Sequence, residues 1–168
     1  MNRPSAEEFN PYFANYIAAV ADDVLAELRD QASSFTQFIL EIPEEKGSYA
    51  YAPNKWTIKE LIGHVIDTER VMAFRALHFG RKDAQDLPGF DENAYVVHSN
   101  YQERSLKSLA EEFSQLRRAN LFLFESFGET EWAHIGRASG SLVSVKALLF
   151  IMAGHVIHHR NILQERYL

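Results

Sequence analysis

The hydrophobic positions of the chain follow a helical period in four long segments. Within each segment apolar residues recur every three or four positions, which places them on one face of a helix. The segments run from about Asp22 to Glu41, Thr57 to Phe79, Ser105 to Phe127 and Ser144 to Tyr167. The pattern therefore predicts four amphipathic helices, and no segment has the alternation that is typical of a strand.

Local signals mark where these helices begin and end. Thr57 and Glu60 form the pattern of a capping box at the start of the second helix. Pro43 ends the first helix because the residue before a proline is disfavoured in the α region. Gly80 and Gly128 follow the second and third helices, at the position where glycine commonly ends a helix.

Four helices of similar length in 168 residues predict an all-α fold, an antiparallel four-helix bundle. We expect one domain over residues 1–168, with its core in about 20–168. The connections between the helices are long for a bundle, so we expect them to be functional or to pack as caps.

Composition and charge narrow the possible functions. The net charge of −6 argues against general nucleic-acid binding, because such proteins need a basic face. The chain has no cysteine, so any thiol chemistry requires a thiol from outside it. The first residues lack an apolar signal core, and no apolar stretch has the length that crosses a bilayer. We therefore expect a cytoplasmic protein with no membrane partner.

Two histidines on the fourth predicted helix have the spacing of metal ligands. His155 and His159 are four residues apart, which places both imidazoles on one face, one turn apart. The helical H-E-x-x-H motif of zinc proteases has the same spacing, but Val156 stands where that motif has its glutamate, so a protease mechanism is not predicted. On spacing alone, the pair is either a metal site or a polar seam in a core helix.

A third histidine favours the metal interpretation. His64 lies in the apolar stripe of the second helix, between Leu61 and Thr68. A buried imidazole that lacks partners costs roughly 1–3 kcal/mol, whereas a shared ion satisfies three imidazoles at once. We therefore predict that His64, His155 and His159 hold one divalent metal ion. Imidazole ligands suit zinc, nickel, copper and iron, and of these we expect zinc or nickel.

Asp67 and His98 are the candidates for a general base. Asp67 follows His64 by three residues. It could orient an imidazole, act as a fourth ligand, or pair with Arg70 on the helix surface. His98 lies in a predicted loop from which it could reach the site.

We assign no chemistry to several other polar or aromatic residues. His158 is rotated by about 100° from His159, so it is predicted to face away from the site, in a surface or interface role. Glu69 is expected to belong to an ion pair. Trp56 and Trp132 are expected to cap the ends of the bundle.

Three segments of the chain resemble one known family. Tyr51–His64 (YAPNKWTIKELIGH), followed by Asp67–Arg70, resembles the first signature of the DinB-like superfamily. Gly154–Arg160 (GHVIHHR) resembles its C-terminal signature, and Leu87–Asp91 (LPGFD) resembles the middle segment of many members. The resemblance spans roughly residues 20–168.

This resemblance implies a four-helix bundle with a three-histidine metal site, often in a homodimer, and it too assigns the ligands to His64, His155 and His159. The family includes thiol S-transferases, a thiol-dependent isomerase and many members without an assigned reaction. It therefore favours a thiol S-transferase, which activates a low-molecular-weight thiol cosubstrate against a small electrophilic substrate. The alternatives are a hydrolase that uses metal-bound hydroxide and a non-catalytic, dimeric metal-binding protein related to stress.

Overall fold

Helices make up most of the structure, which is a computed structural model that describes residues 2–168. In chain order they are α1 (Ala14–Ala19), α2 (Val24–Leu40), α3 (Ile58–Gly80), α4 (Glu92–Val97), α5 (Leu106–Glu125), α6 (Glu129–Trp132) and α7 (Val145–Arg166). No helix in residues 2–168 is long and apolar enough to span a membrane.

The four long helices, α2, α3, α5 and α7, confirm the predicted all-α four-helix bundle. Each begins and ends within two residues of the predicted segment. Side chains at their N-caps explain the sharp starts, because each accepts a hydrogen bond from a backbone N–H of the first turn. These caps are Asp23, Thr57, Ser105 and Ser144.

Contacts at the helix ends fix the direction of each helix. α2 and α5 are antiparallel, because Arg29 pairs with Glu125 at one end (2.8 Å) and Glu44 accepts from the Leu106 N–H at the other (2.8 Å). α3 and α7 are also antiparallel, since the start of α3 packs in one apolar cluster with the end of α7. The predicted antiparallel arrangement therefore holds within these two pairs.

α3 and α5 run in the same direction. Gly63 near the start of α3 contacts Tyr101, which precedes α5, and Gly80 at the end of α3 contacts Phe127, which follows α5. A parallel pair needs a long connection, so residues 81–105 cross the whole length of the bundle. The length of this loop thus follows from the topology.

One short β-hairpin, which the sequence did not predict, precedes α7. Its strands are β1 (Ile135–Ala138) and β2 (Ser141–Ser144), joined by Ser139 and Gly140, which both have positive φ. Four-residue strands are too short to display an alternating pattern, which explains the omission. Leu87 of the crossover pairs with Ala138, so the hairpin holds the crossover against the bundle.

The N-terminal segment folds back onto α7, although no helix was predicted there. Two 3₁₀ turns lead into α1, which packs across α7. Arg3 donates from Nη1 to the Ile17 carbonyl (2.6 Å) and from Nη2 to the Val20 carbonyl (2.7 Å). Ile17 and Val20 are buried in the core, so this segment is part of the folded unit.

A layer of buried polar side chains divides the core into two apolar clusters. One cluster contains the start of α2 and the end of α3, and the other contains the end of α2 and the start of α3. Each long helix contributes at least one buried polar residue between them. These residues are Gln31 on α2, Thr68 and Glu69 on α3, Arg117 on α5 and His155 on α7.

An ion pair lies at the centre of this layer. Arg117 donates from Nε and Nη2 to the two carboxylate oxygens of Glu69 (2.8 and 2.9 Å) and from Nη1 to Gln31 (2.8 Å). Gln31 in turn donates to the Ala153 carbonyl on α7 (3.0 Å). Glu69 therefore belongs to an ion pair, as predicted, and the network connects all four long helices.

Candidate metal centre

Three buried histidines converge where α3 packs against α7. The Nε2 atom of His155 lies 3.0 Å from Nε2 of His64 and 3.0 Å from Nε2 of His159. One ring nitrogen of each histidine lies within 4.8 Å of the other two. The structure thus brings together the three residues that the sequence singled out as ligands.

Two helices and two aromatic rings position these imidazoles. His155 and His159 are one turn apart on α7, and His64 faces them from α3 because the two helices pack side by side. The ring of Trp56, which precedes α3, lies 4.7 Å from the His64 ring, and the ring of Tyr16 lies 5.8 Å from the His155 ring. These contacts limit how far the imidazoles can turn away from their common centre.

The number of protons and lone pairs in this cluster fits a metal ion. Each neutral imidazole has one N–H and one lone pair, so Nε2 of His155 can form one good hydrogen bond although it faces two other Nε2 atoms. A divalent ion accepts all three lone pairs at once. Nitrogen ligands about 2.0–2.1 Å from a tetrahedral ion lie roughly 3.3 Å apart, close to the separations seen here.

Burial keeps the three imidazoles in the form that binds metals. Burial, and secondarily the charge on His158, lowers the pKa of His64 to about 4. Burial, then the charges of His64 and His158, lowers the pKa of His159 to about 2. The pKa of His155 is also lowered well below its ordinary value, by burial and then by His159. All three are therefore neutral near pH 7, with a lone pair available.

The histidines line a cavity of about 360 Å³, a size that suits a small molecule. Segments that are far apart in the sequence supply its aromatic wall: Tyr12, Phe13, Tyr16, Trp56 and Phe90. Thr68 lies one turn along α3 from His64, and its buried hydroxyl has no hydrogen-bond partner among residues 2–168. Apolar walls with few polar groups are typical of sites for small organic molecules.

The prediction that His158 faces away from the site is wrong. Its ring lines the cavity and lies 5.0 Å from the ring of Tyr16. The reason is that α1 packs on this side of α7, so a direction that would face bulk solvent in a bare bundle faces the cavity. Trp56, expected to cap a bundle end, also lines the cavity.

Asp67 and His98 lie outside this cavity. Both line a separate, open groove that also contains Tyr101. Burial, together with the neighbouring Asp67 carboxylate, raises the pKa of the Tyr101 hydroxyl. Asp67 is rotated by about 60° from His64 around α3, which is enough to place it on the other side of the helix packing. The structure therefore brings neither general-base candidate to the histidines.

Tyr16 and Arg75 are among the cavity residues that were not predicted, although the sequence contains a signal for each. Tyr16 belongs to α1, and the segment before it begins with Asn10, whose side chain accepts from the Tyr12 N–H (2.9 Å) ahead of Pro11 at the first helical position. Arg75 is a charged residue within the apolar stripe of the second predicted helix. A helix start and an arginine in an apolar stripe are both recognisable patterns.

Comparison with known families gives one match. A family model described as the DinB superfamily matches residues 25–163, which include all three histidines. A comparison with curated proteins gives no match.

Solved structures of similar fold include the following two. YfiT from Bacillus subtilis, described as a probable metal-dependent hydrolase with an unusual four-helix bundle topology, has a TM-score of 0.71 and 14% identity over 98% of this chain and 91% of its own. The mycothiol-dependent maleylpyruvate isomerase has a TM-score of 0.67 and 14% identity over 86% of this chain and 61% of its own. At this identity the likeness shows a shared fold.

Proposed function

Because the chain belongs to the DinB superfamily, we propose that it is a metal-dependent enzyme that transfers a low-molecular-weight thiol to a small electrophilic substrate. His64, His155 and His159 would hold one divalent ion, with zinc or nickel the expected metal. The observation that carries this proposal is the convergence of three neutral imidazole nitrogens in the wall of a cavity.

The residues around the histidines suit a reaction of two small molecules. An ion bound there supplies Lewis acidity and lowers the pKa of a thiol or water that binds it. Three protein ligands would leave the ion free to bind a thiol or water as well, as in catalytic zinc sites. The aromatic wall provides apolar surface for a small organic molecule, and the unpartnered Thr68 hydroxyl can hold a polar group of the substrate beside His64.

The acidity of a thiol favours it over water as the nucleophile. Among residues 2–168, besides the three candidate ligands, the side chains in the cavity wall that could act as a base are the half-buried His158 and the exposed Glu92. A thiol has an ordinary pKa of about 8.5, so a small shift makes it a thiolate, whereas water needs a far larger shift or a base. The chain itself has no cysteine, so the thiol would be a cosubstrate.

The relatives support this choice and one alternative. The isomerase of similar fold is mycothiol-dependent, which is a precedent for a thiol cosubstrate on this fold. YfiT is described as a probable metal-dependent hydrolase. A hydrolase that uses water in place of the thiol is therefore the second candidate, and a non-catalytic metal-binding protein is the third.

The ligand assignment is tested by elemental analysis of the purified protein and four variants. We expect about one equivalent of zinc or nickel per chain in the wild type. His64→Ala, His155→Ala and His159→Ala should each lose the metal, whereas His158→Ala is the matched control and should keep it. Loss in His158→Ala together with retention in His155→Ala would contradict the assignment.

The reaction is tested by exchanging the metal for cobalt(II) and adding thiols. A thiolate on cobalt gives a near-ultraviolet charge-transfer band, and thiol consumption with an electrophile such as monobromobimane measures transfer. We expect the thiolate band and thiol consumption in the wild type, and neither in His64→Ala. Ester hydrolysis without a thiolate band would favour the hydrolase, and bound metal with neither activity would favour the non-catalytic protein.

The homodimer and the cytoplasmic location that we expect stay predictions. Light scattering of the purified protein would measure its mass, and a mass of twice 19.3 kDa is the expected result. A monomer at all concentrations would exclude the dimer without affecting the metal site.

A further inference from the structure

Arg75 is a buried arginine that has no carboxylate partner. The residue is 6% exposed. Its Nη2 donates to the Pro88 carbonyl and to the Ser139 hydroxyl (3.0 Å each), and Nη1 contacts the Met72 sulfur at 3.8 Å. No carboxylate in residues 2–168 forms an ion pair with it, and its Nε–H and one Nη1–H have no hydrogen-bond acceptor in that range. The charge is positioned but not neutralised.

Arg117 shows how this chain neutralises a buried arginine elsewhere. It is fully buried, and both oxygens of Glu69 accept from its guanidinium. A buried charge without such a partner is costly, and burial indeed lowers the pKa of Arg75. The missing partner of Arg75 therefore points to an anion that comes from outside the chain.

Arg75 shares a cavity with the histidines. It lies eleven residues after His64 on α3, on nearly the same face, at an axial distance of roughly 16 Å. Both residues line the 360 Å³ cavity, and Arg75 also lines a second cavity of about 200 Å³. Five further residues line both cavities: Tyr12, Phe13, Met72, Ser139 and Ile151. An elongated molecule can thus reach from the histidines to the guanidinium.

We propose that Arg75 binds a carboxylate of the small molecule that reacts at the histidine site, an inference that rests on the proposed function. A carboxylate fits better than a phosphate dianion, because a single guanidinium with two remaining N–H groups is its partner and Glu92 lines the same cavity. The carboxylate lies at the far end of the molecule from the reacting group. Pro88 and Ser139 hold the guanidinium in place for it.

The carboxylate site is tested by calorimetry with octanoate and octanol, which differ in charge but not in chain length. We expect the wild type to bind octanoate about tenfold more tightly than octanol, and Arg75→Met to bind the two equally. Arg118→Met is the control: it makes the same substitution at an exposed arginine that lines neither cavity, so it should keep the preference. No preference in the wild type, or the same preference in Arg75→Met, would overturn the inference.

A variant that keeps the positive charge distinguishes a binding role of Arg75 from a purely structural one. Arg75→Lys keeps the charge and should keep part of the preference for octanoate. If Arg75→Met does not fold, as judged by circular dichroism, the wild type and Arg75→Lys still decide the question. A preference that is absent in both would overturn the inference.

Thiol probes on the cobalt(II) protein show which molecule carries the carboxylate. If the thiol cosubstrate carries it, mercaptooctanoate should give the thiolate band at a concentration about tenfold lower than mercaptooctanol does. If the electrophile carries it, octanoate should bind beside short-chain mercaptoethanol without displacing the band. No band with any thiol would contradict the proposed S-transfer. The carboxylate site would still be tested separately, by the preference for octanoate over octanol.

Discussion

Gly154 lies where α1 crosses α7, next to the first histidine of the C-terminal motif. A Cβ at this position would meet the backbone of Tyr16. The glycine therefore lets α1 approach α7, and this approach places the Tyr16 ring beside His155 and His158. The absence of a side chain at Gly154 thus allows Tyr16 to form part of the cavity wall.

Gly154→Ala should destabilise the protein although alanine favours helices. The helical preference contributes about 1 kcal/mol in favour of alanine. The clash is with backbone that cannot rotate away, and overpacking of this kind costs about 1–3 kcal/mol. We expect a lower melting temperature, measured by circular dichroism. Gly89→Ala is the control, because a Cβ there makes ordinary contact with Ser139; equal effects of both variants would contradict this explanation.

At the scale of the helices, the buried ion pair and its glutamine partner connect α5, α3 and α2. Arg117 on α5 binds Glu69 on α3 and Gln31 on α2, and it crosses the boundary between the two apolar clusters. Burial removes both charges from water, so the pair is favourable only while each charge keeps its partner. The network specifies how the helices align as well as holding them together.

Arg117→Met should lower the free energy of unfolding by about 3–5 kcal/mol, because it leaves the Glu69 carboxylate buried and unpaired. The double variant Arg117→Met with Glu69→Leu removes both charges and should recover much of that loss. Urea unfolding of the wild type and the two variants measures the difference. A double variant less stable than Arg117→Met would show that burial of an unpaired charge is not the cause.

A second ion-pair group joins helices at the surface. Glu112 on α5 accepts from Arg70 on α3 and from Arg104, which precedes α5. Burial alone would raise the pKa of Glu112, but the hydrogen bonds from Arg104 and Arg70 outweigh it and lower the pKa. Since the folded-state pKa is below the unfolded one, Glu112 stabilises the fold above the unfolded pKa. This contribution is lost as the pH falls through the folded pKa.

Glu112→Gln should therefore lower the melting temperature near neutral pH, and the difference from the wild type should shrink as the pH falls below the ordinary glutamate pKa and through the lower folded-state pKa. Thermal melts at several pH values measure this convergence. Glu111→Gln is the control, because Glu111 has an exposed partner in Lys107 and such pairs contribute little. A Glu112→Gln effect that persists unchanged into acid would contradict the argument.

At the scale of the whole molecule, the bundle supplies the histidines and the segments outside it supply the cavity walls. α3 and α7 carry all three candidate ligands. The aromatic wall comes from the N-terminal segment, the connection before α3 and the crossover, and Ser139 of the hairpin completes it. The three histidines and the aromatic wall therefore depend on different parts of the chain.

Removal of residues 2–20 should separate the stability of the fold from metal binding. Ile17 and Val20 would leave the core, at about 1.5–3 kcal/mol each, so the free energy of unfolding should fall by roughly 3–6 kcal/mol. The histidines stay on α3 and α7, so the folded fraction should still bind one metal ion. Urea unfolding and elemental analysis measure the two outcomes, and an unchanged unfolding midpoint would contradict a packing role for the segment.

The sequence by itself determined the four long helices and the three histidines. Both are local in origin: a period of 3.6 residues and N-cap residues define a helix, and a spacing of four places His155 and His159 on one face. His64 was predictable because a polar residue stands in an otherwise apolar stripe. The resemblance to the DinB-like superfamily assigns the same three residues as metal ligands.

The tertiary structure alone decided which residues surround the histidines. His158 faces the cavity because α1 covers α7, and Asp67 is excluded because it packs toward Tyr101. Arg75 and Arg117 have the same pattern in sequence, a charge on a buried face, yet one has Glu69 as its partner and the other has none. Contacts of this kind join residues that are distant along the chain, and local periodicity carries no information about them.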